Sequence, residues 1–198
     1  MLGFGGNAFA TLHDRGSGLI YDDVLNITWL QNANLAGTLL NWADANAWAS
    51  GLVFDGLSGW RLARINTTSP TLISYDCRTN PAFACVALGN ELGYMFYHNL
   101  LAAGQFKVGT TSNTLGGVTL QNIQFRYWTP EEFDTISGVD WSFNFAGGDQ
   151  AILNGSAQIS AWAVRPGDVA AAPEPASLLL FGVGALGLAL SRRRGRRR

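Results

Sequence analysis

Few side chains in this 198-residue chain have the type and spacing that chemistry demands. Cys77 and Cys85 are its two cysteines, and the seven residues between them do not suit a redox Cys-x-x-Cys. No histidine or third cysteine lies close enough in sequence to complete a zinc set. In an oxidising compartment the pair reads as a local disulfide, whose small closed loop would contribute about 2–3 kcal/mol. In a reducing one it reads as two buried thiols. His13 and His98 are the only imidazoles. His13 sits in the charged stretch His-Asp-Arg-Gly. His98 follows Tyr97 on an expected helix, where a hydrogen-bonded boundary role outweighs a general base. Asp22-Asp23 and Glu131-Glu132 are carboxylate neighbours. On a strand such neighbours point to opposite faces, so neither pair makes an acid–base dyad by itself. The chain contains no Gly-x-Ser-x-Gly elbow, P-loop or His-Glu-x-x-His helix. The expectation is a protein that is not an enzyme and needs no cofactor.

Binding chemistry is easier to place. Tyr127 and Trp128 close a predicted strand and are followed by Glu131, Glu132 and Asp134. An aromatic plane with carboxylates beside it suits a sugar, stacking on its C–H face and accepting from its hydroxyls. Asp140, Asn144, Asp149 and Gln150 would add polar groups on loops of the same sheet. The ligand-binding set expected here is Trp128, Glu131, Glu132, Asp140, Asn144 and Asp149. The competing reading puts Tyr127, Trp141, Phe143 and Phe145 in the core and the acids on a solvated face.

The elements that must position these residues follow from periodicity. Residues 18–23 and 27–30 read as short strands around a polar turn. Over 41–52, Trp42, Ala45, Trp48, Ala49 and Leu52 share an arc of about 120° at 100° per residue, with Asn41 as N-cap. A turn at 56–59 leads into Trp60-Arg61-Leu62. Residues 66–90 are rich in Ser, Thr, Pro and Asn and carry both cysteines. A second helix is predicted over 91–101, burying Leu92, Met95, Phe96 and Leu100. The last third reads as antiparallel sheet. Ile123, Phe125 and Tyr127 share one face of 118–128, Trp141, Phe143 and Phe145 alternate with polar residues, and 150–154 continues the sheet. Ala157, Ile159, Ala161 and Ala163 alternate with Gln158, Ser160 and Trp162. Two helices followed by a meander predict an α+β domain.

Composition is 47% hydrophobic, 12% aromatic and 14% charged, which excludes a disordered chain. The formal charge of −1 averages two unlike pieces. Before Pro173 stand 7 basic and 13 acidic residues, a net of −6. The other six basic residues are Arg192, Arg193, Arg194, Arg196, Arg197 and Arg198. An acidic body lacks the basic stripe that nucleic-acid binding requires. Residues 176–190 are uncharged and dominated by Leu, Gly and Ala. Fifteen helical residues reach about 22 Å, against a hydrocarbon core of roughly 30 Å. Extension back to Pro173 and snorkelling arginines would complete the span, and the arginines would lock the C-terminus on the cytoplasmic side. Physics alone leaves a plain anchor and a processed signal open. Ala8-Phe9-Ala10 fits a small-x-small cleavage pattern, so residues 1–10 read as the remnant of a signal peptide or as a frayed terminus.

Pro173-Glu174-Pro175, the apolar run and the arginine block together resemble a PEP-CTERM sorting signal. The resemblance implies an exosortase-type partner, an inner-membrane stage and a Gram-negative host that makes exopolysaccharide. Delivery to the cell surface or the extracellular matrix would follow. The segments LIYDDVLNITWLQNANLA, NWADANAWASGL, GWRL, ELGYMFYHNL, YWTPEEF, DWSFNFAGGDQ and AWAVRPGD resemble the Lcl C-terminal-like domain. That likeness implies a C-type-lectin-like fold of two helices and an antiparallel sheet, followed here by a single C-terminal membrane helix. Ala63-Arg64 departs from the Pro-Thr usual in that family. Calcium would fit oxygen-rich loops, yet the body lacks the Glu-Pro-Asn or Gln-Pro-Asp tripeptide of sugar-binding C-type lectins, and no metal ligand is assigned. The organisation expected is a terminus at 1–10, a domain at 11–169, a linker with the sorting motif at 170–175, a membrane helix at 176–191 and a cytoplasmic tail at 192–198. Binding of glycan or another polymer is the expected task, with a purely structural envelope role as the alternative and, behind it, an enzyme on a lectin-like fold.

Overall fold

The computed structural model describes residues 12–67, 77, 82–101, 112–115 and 117–169. The sorting tripeptide, the apolar run and the terminal arginines lie outside them. The chain separates into two units, Met1–Asp168 and Val169–Arg198. Every element below belongs to the first.

Ten strands occur among the described residues. Five form one antiparallel sheet in the order β1 (Leu12–Gly16), β2 (Leu19–Asp22), β3 (Ile27–Leu30), β10 (Ala163–Pro166), β4 (Arg61–Leu62). The β2–β3 turn is built by Asp22, whose buried carboxylate accepts from Val24 N at 3.1 Å and Leu25 N at 3.0 Å. Asn26 supplies the left-handed φ of +52° that the tight return requires. At the far end of the domain, Asp168 receives two hydrogen bonds from Arg15, at 2.8 and 2.7 Å, pinning the domain's end to its first strand. A hairpin pairs β5 (Ser112–Leu115) with β6 (Val118–Gln121). A three-stranded meander follows: β7 (Arg126–Glu132), β8 (Val139–Asn144) and β9 (Asp149–Asn154).

Helices are short. In α1 (Trp42–Gly51), Asn41 caps the N-terminus by accepting from Asp44 N at 2.8 Å, and Ala45 and Ala49 face the core. Next come α2 (Ala82–Ala87) and α3 (Glu91–Tyr94), which runs on as a π-helix over Met95–Leu101. Asn99 on that π-helix donates to Asp22 at 3.1 Å, tying it to the five-stranded sheet.

Aromatic rings join the layers. Trp29 and Trp162 lie 4.7 Å apart, Trp162 and Tyr127 5.5 Å, Tyr127 and Phe145 5.3 Å, and Phe145 and Phe96 5.8 Å. Each such ring removes roughly 150–250 Å² from water, a gross gain of several kcal/mol. The buried indoles also need acceptors: Trp162 donates to Leu30 O and Trp128 to Leu40 O, both at 2.8 Å.

These elements correct the expected fold class. In place of a C-type-lectin-like α+β domain of two helices and one sheet, the described residues form chiefly antiparallel β-structure with a few short helices. The reason is pairing at long sequence separation. β10 inserts between β3 and β4, so the early strands form a major sheet rather than an isolated hairpin. Residues 118–128 are two strands, because Asn122 breaks the run with a φ of +55°. Phe125 then lies in the connection and is 64% exposed, while Ile123 and Tyr127 are buried. Trp162 is buried with Ala161 and Ala163, so the expected alternation across 157–163 fails. Both helices do occupy the predicted ranges, with Leu92, Met95, Phe96 and Leu100 buried as expected. No helix of the described residues is long and apolar enough to cross a membrane, and the run at 176–191 is outside them.

Candidate functional site

The ligand set expected from sequence does not converge. Trp128 is fully buried, its ring offers no face to solvent, and its indole serves the core. Tyr127, Trp141, Phe143 and Phe145 are buried as well. Asp140 and Asn144 occupy opposite ends of β8, four residues or about 13 Å apart at strand rise. Asn144 donates to Asp149 at 2.9 Å and accepts from Ala146 N at 2.9 Å, so this pair shapes the β8–β9 turn. Asp140 stands opposite Glu132 in the β7–β8 ladder. Burial, and then the charge of Glu132, push the Asp140 carboxyl above its ordinary range. Two opposed carboxylates are a cost to this ladder.

Glu131 is different. Its neighbour Glu132 points to the exposed face, and Glu131 itself turns into a cleft of about 500 Å³, within the range of small-ligand sites. One wall is residues 64–67, the segment that leaves β4. A second is Leu88 and Gly89, between α2 and α3, and Pro130 with Glu131 on β7 completes it. Burial raises the Glu131 carboxyl above its usual range, opposed by hydrogen bonds from the Thr129 side chain and from backbone N–H groups, and by the positive charge of Arg64. Arg64 is exposed at the rim. The cleft is thus lined by the half-buried Glu131, by Arg64, Asn66 and Thr67, and by Ile65, Leu88 and Pro130.

The 64–67 wall is held from below. Arg61 grips Glu91 through two hydrogen bonds, at 2.8 and 2.6 Å, and the same Glu91 carboxylate accepts from Arg64 N at 2.8 Å. Leu92 N donates back to Arg64 O at 3.1 Å. Gln150 Nε2 donates to Asn66 O at 2.7 Å, and Gln150 Oε1 accepts from Asn90 at 2.8 Å. Cys77 and Cys85 are bonded as expected and buried beneath Asn90. His98 is half-buried against Tyr94, with ring centroids 5.2 Å apart, and burial lowers its pKa, favouring neutral imidazole. His13 lies 3.2 Å from Asp23.

Of the residues expected from sequence, Glu131 lines this cleft; Arg64, Asn66 and Thr67, which also line it, were not among them. A signal existed at Arg64, one of only seven basic residues before Pro173 and directly after a strand. Nothing local indicated that 64–67, 88–89 and 130–131 would meet.

A family model for the Lcl C-terminal domain matches residues 18–165, and one for the PEP-CTERM protein-sorting motif matches residues 171–194. No curated protein and no solved structure matches the chain. The first match covers most of the sequence, so the chain belongs to the Lcl C-terminal domain family. The second makes it a substrate of an exosortase-type enzyme, sorted by way of a membrane-anchored stage and exported to the cell surface.

Proposed function

We propose, for this exported member of the Lcl C-terminal domain family, that the folded body binds a glycan or related polymer outside the cell and catalyses no reaction. The observation that carries the reading is the cleft around Glu131, lined also by Arg64, Thr67 and apolar side chains. A sugar ring presents the matching pattern, hydroxyls at its edge and C–H groups on its faces. Retention in extracellular polysaccharide is the role that export and such a cleft jointly serve. The residues doing this work are Arg64, Thr67 and Glu131, in place of the sequence-derived set centred on Trp128. The reading requires no metal, and chelation of calcium is expected to leave the affinity unchanged.

Titration calorimetry on the full chain in mild detergent tests this, using a neutral glucan, a uronate polymer and a sulfated polysaccharide. Saturable binding to one of them, weakened at least about tenfold by Arg64→Ala, is the expected result; a tenfold loss corresponds to about 1.4 kcal/mol. No binding across the three would leave the domain as a structural bead of the envelope.

A further inference from the structure

The cleft is joined to the disulfide by an unbroken series of buried contacts. Cys77 and Cys85 are 1% and 0% exposed, and Tyr94 completes their cluster. Cys85 Sγ lies 3.5 Å from Asn90 O, and Asn90 N donates to Cys85 O at 3.3 Å. Gly93 leaves room for this packing, since a Cβ there would fall 2.8 Å from Cys77 Sγ and 2.6 Å from Asn90 Oδ1. Asn90 is thereby held between the disulfide and the start of α3, where its Oδ1 accepts from Gly93 N at 2.8 Å. Its Nδ2 donates to Gln150, and Gln150 donates in turn to Asn66 O in the cleft wall. Asn90 and Gln150 are each 1% exposed, so no water stands ready to replace a lost partner. On the opposite wall, Leu88 and Gly89 follow directly from α2, the helix that contains Cys85.

We propose that the Cys77–Cys85 disulfide is a redox lock on the cleft: both walls take up their binding geometry only after the two thiols are oxidised, so that export assembles the site. In the reducing cytoplasm the pair remains dithiol, α2 is released from Cys77, and Asn90 loses the support that aligns it with Gln150. Closure proceeds by thiol–disulfide exchange with a disulfide-bearing oxidant of the exporting compartment. One protein thiolate attacks the oxidant's disulfide to form a mixed disulfide, and the second displaces it. The oxidant leaves as a dithiol, carrying the two electrons and two protons that the protein gives up. The inference rests on the binding role only for what the cleft holds. The coupling of bond to wall stands apart from any ligand.

Hydrogen–deuterium exchange on the full chain in mild detergent separates the two. In a Cys77→Ala/Cys85→Ala variant, amides of 64–67 and 88–92 are expected to exchange at least about tenfold faster than in the oxidised chain, with β2, β3 and β10 unchanged. In oxidised Gln150→Leu, 64–67 should gain a comparable rate while 82–87 keeps its protection. Unchanged exchange at 64–67 and 88–92 in the cysteine variant would overturn the lock. So would acceleration throughout the domain, which would make the bond a global staple, or protected 64–67 in Gln150→Leu. None of these outcomes depends on a polysaccharide, so a blank titration counts against the binding role alone.

Discussion

The five-stranded sheet and the cleft are stabilised by different means. β2, β3 and β10 share backbone ladders and pack Trp29 against Trp162, so they are held by many redundant contacts. The cleft walls rely on a few specific links: the Arg61–Glu91 pair, the Asn90–Gln150–Asn66 series and one covalent disulfide. The hydrogen bonds among them are directional, and breaking one leaves a buried polar group unsatisfied. A scaffold of the first kind tolerates a site of the second kind, whose geometry can depend on conditions without unfolding the whole.

The contrast can be broken most forcefully at Trp162. Trp162→Ala should cost about 3–5 kcal/mol and lower the denaturation midpoint of the domain as one cooperative transition. A transition confined to the cleft walls would erase the distinction. Glu91→Ala should cost about 3 kcal/mol, since Arg61 keeps a partly buried charge without its partner and Arg64 N loses its acceptor. Here the loss should concentrate in 61–67, read by exchange, and Arg61→Met with Glu91→Leu should recover most of the stability. Equal damage from the single and double changes would mean that the pair does not hold the wall.

A smaller effect, of pH, reaches both regions. Burial raises the carboxyls of Asp22 and Glu131 above their ordinary values. The folded state therefore binds more protons than the unfolded one across the interval between the ordinary and the raised values. Their contribution to stability is full below the ordinary range and is lost as pH rises through the raised values. The melting temperature should accordingly fall over that rise, and Asp22→Asn should flatten the slope. A curve that climbs with pH would contradict both assignments. In the cleft, protonation of Glu131 removes its charge, so glycan affinity should weaken on acidification through the raised range of that carboxyl. Least of all, Phe125→Ser should stay within about 0.5 kcal/mol of the parent chain, because its ring is 64% exposed. A larger loss would show that this side chain belongs to the core, as its place in the alternation suggested.

The parts of the fold legible in the sequence are those with local causes. α1 is written into Asn41, Asp44 and the spacing of Ala45 and Ala49. β2 and β3 are marked by their apolar runs and the Asp-Asp turn between them. β10 has no such mark: it is four residues long, and what makes it a central strand is that β3 and β4 lie on either side. Trp128 misled because an aromatic followed by acids looks the same whether the ring faces solvent or Leu40. Glu131 was readable as a candidate through its charge beside an aromatic strand end, whereas Arg64 needed the close approach of β4 to β7.

Where the molecule is delivered follows from the order of residues alone. A tripeptide, an apolar run and a block of arginines act through linear pattern, hydrophobicity and charge, and none of these waits for a fold. The disulfide partners were settled in the same way, since the chain has only two cysteines. What the body offers to a ligand was decided by tertiary structure. The cleft is assembled from segments 64–67, 88–89 and 130–131. Their meeting depends on strand pairing and buried hydrogen bonds that no local periodicity records.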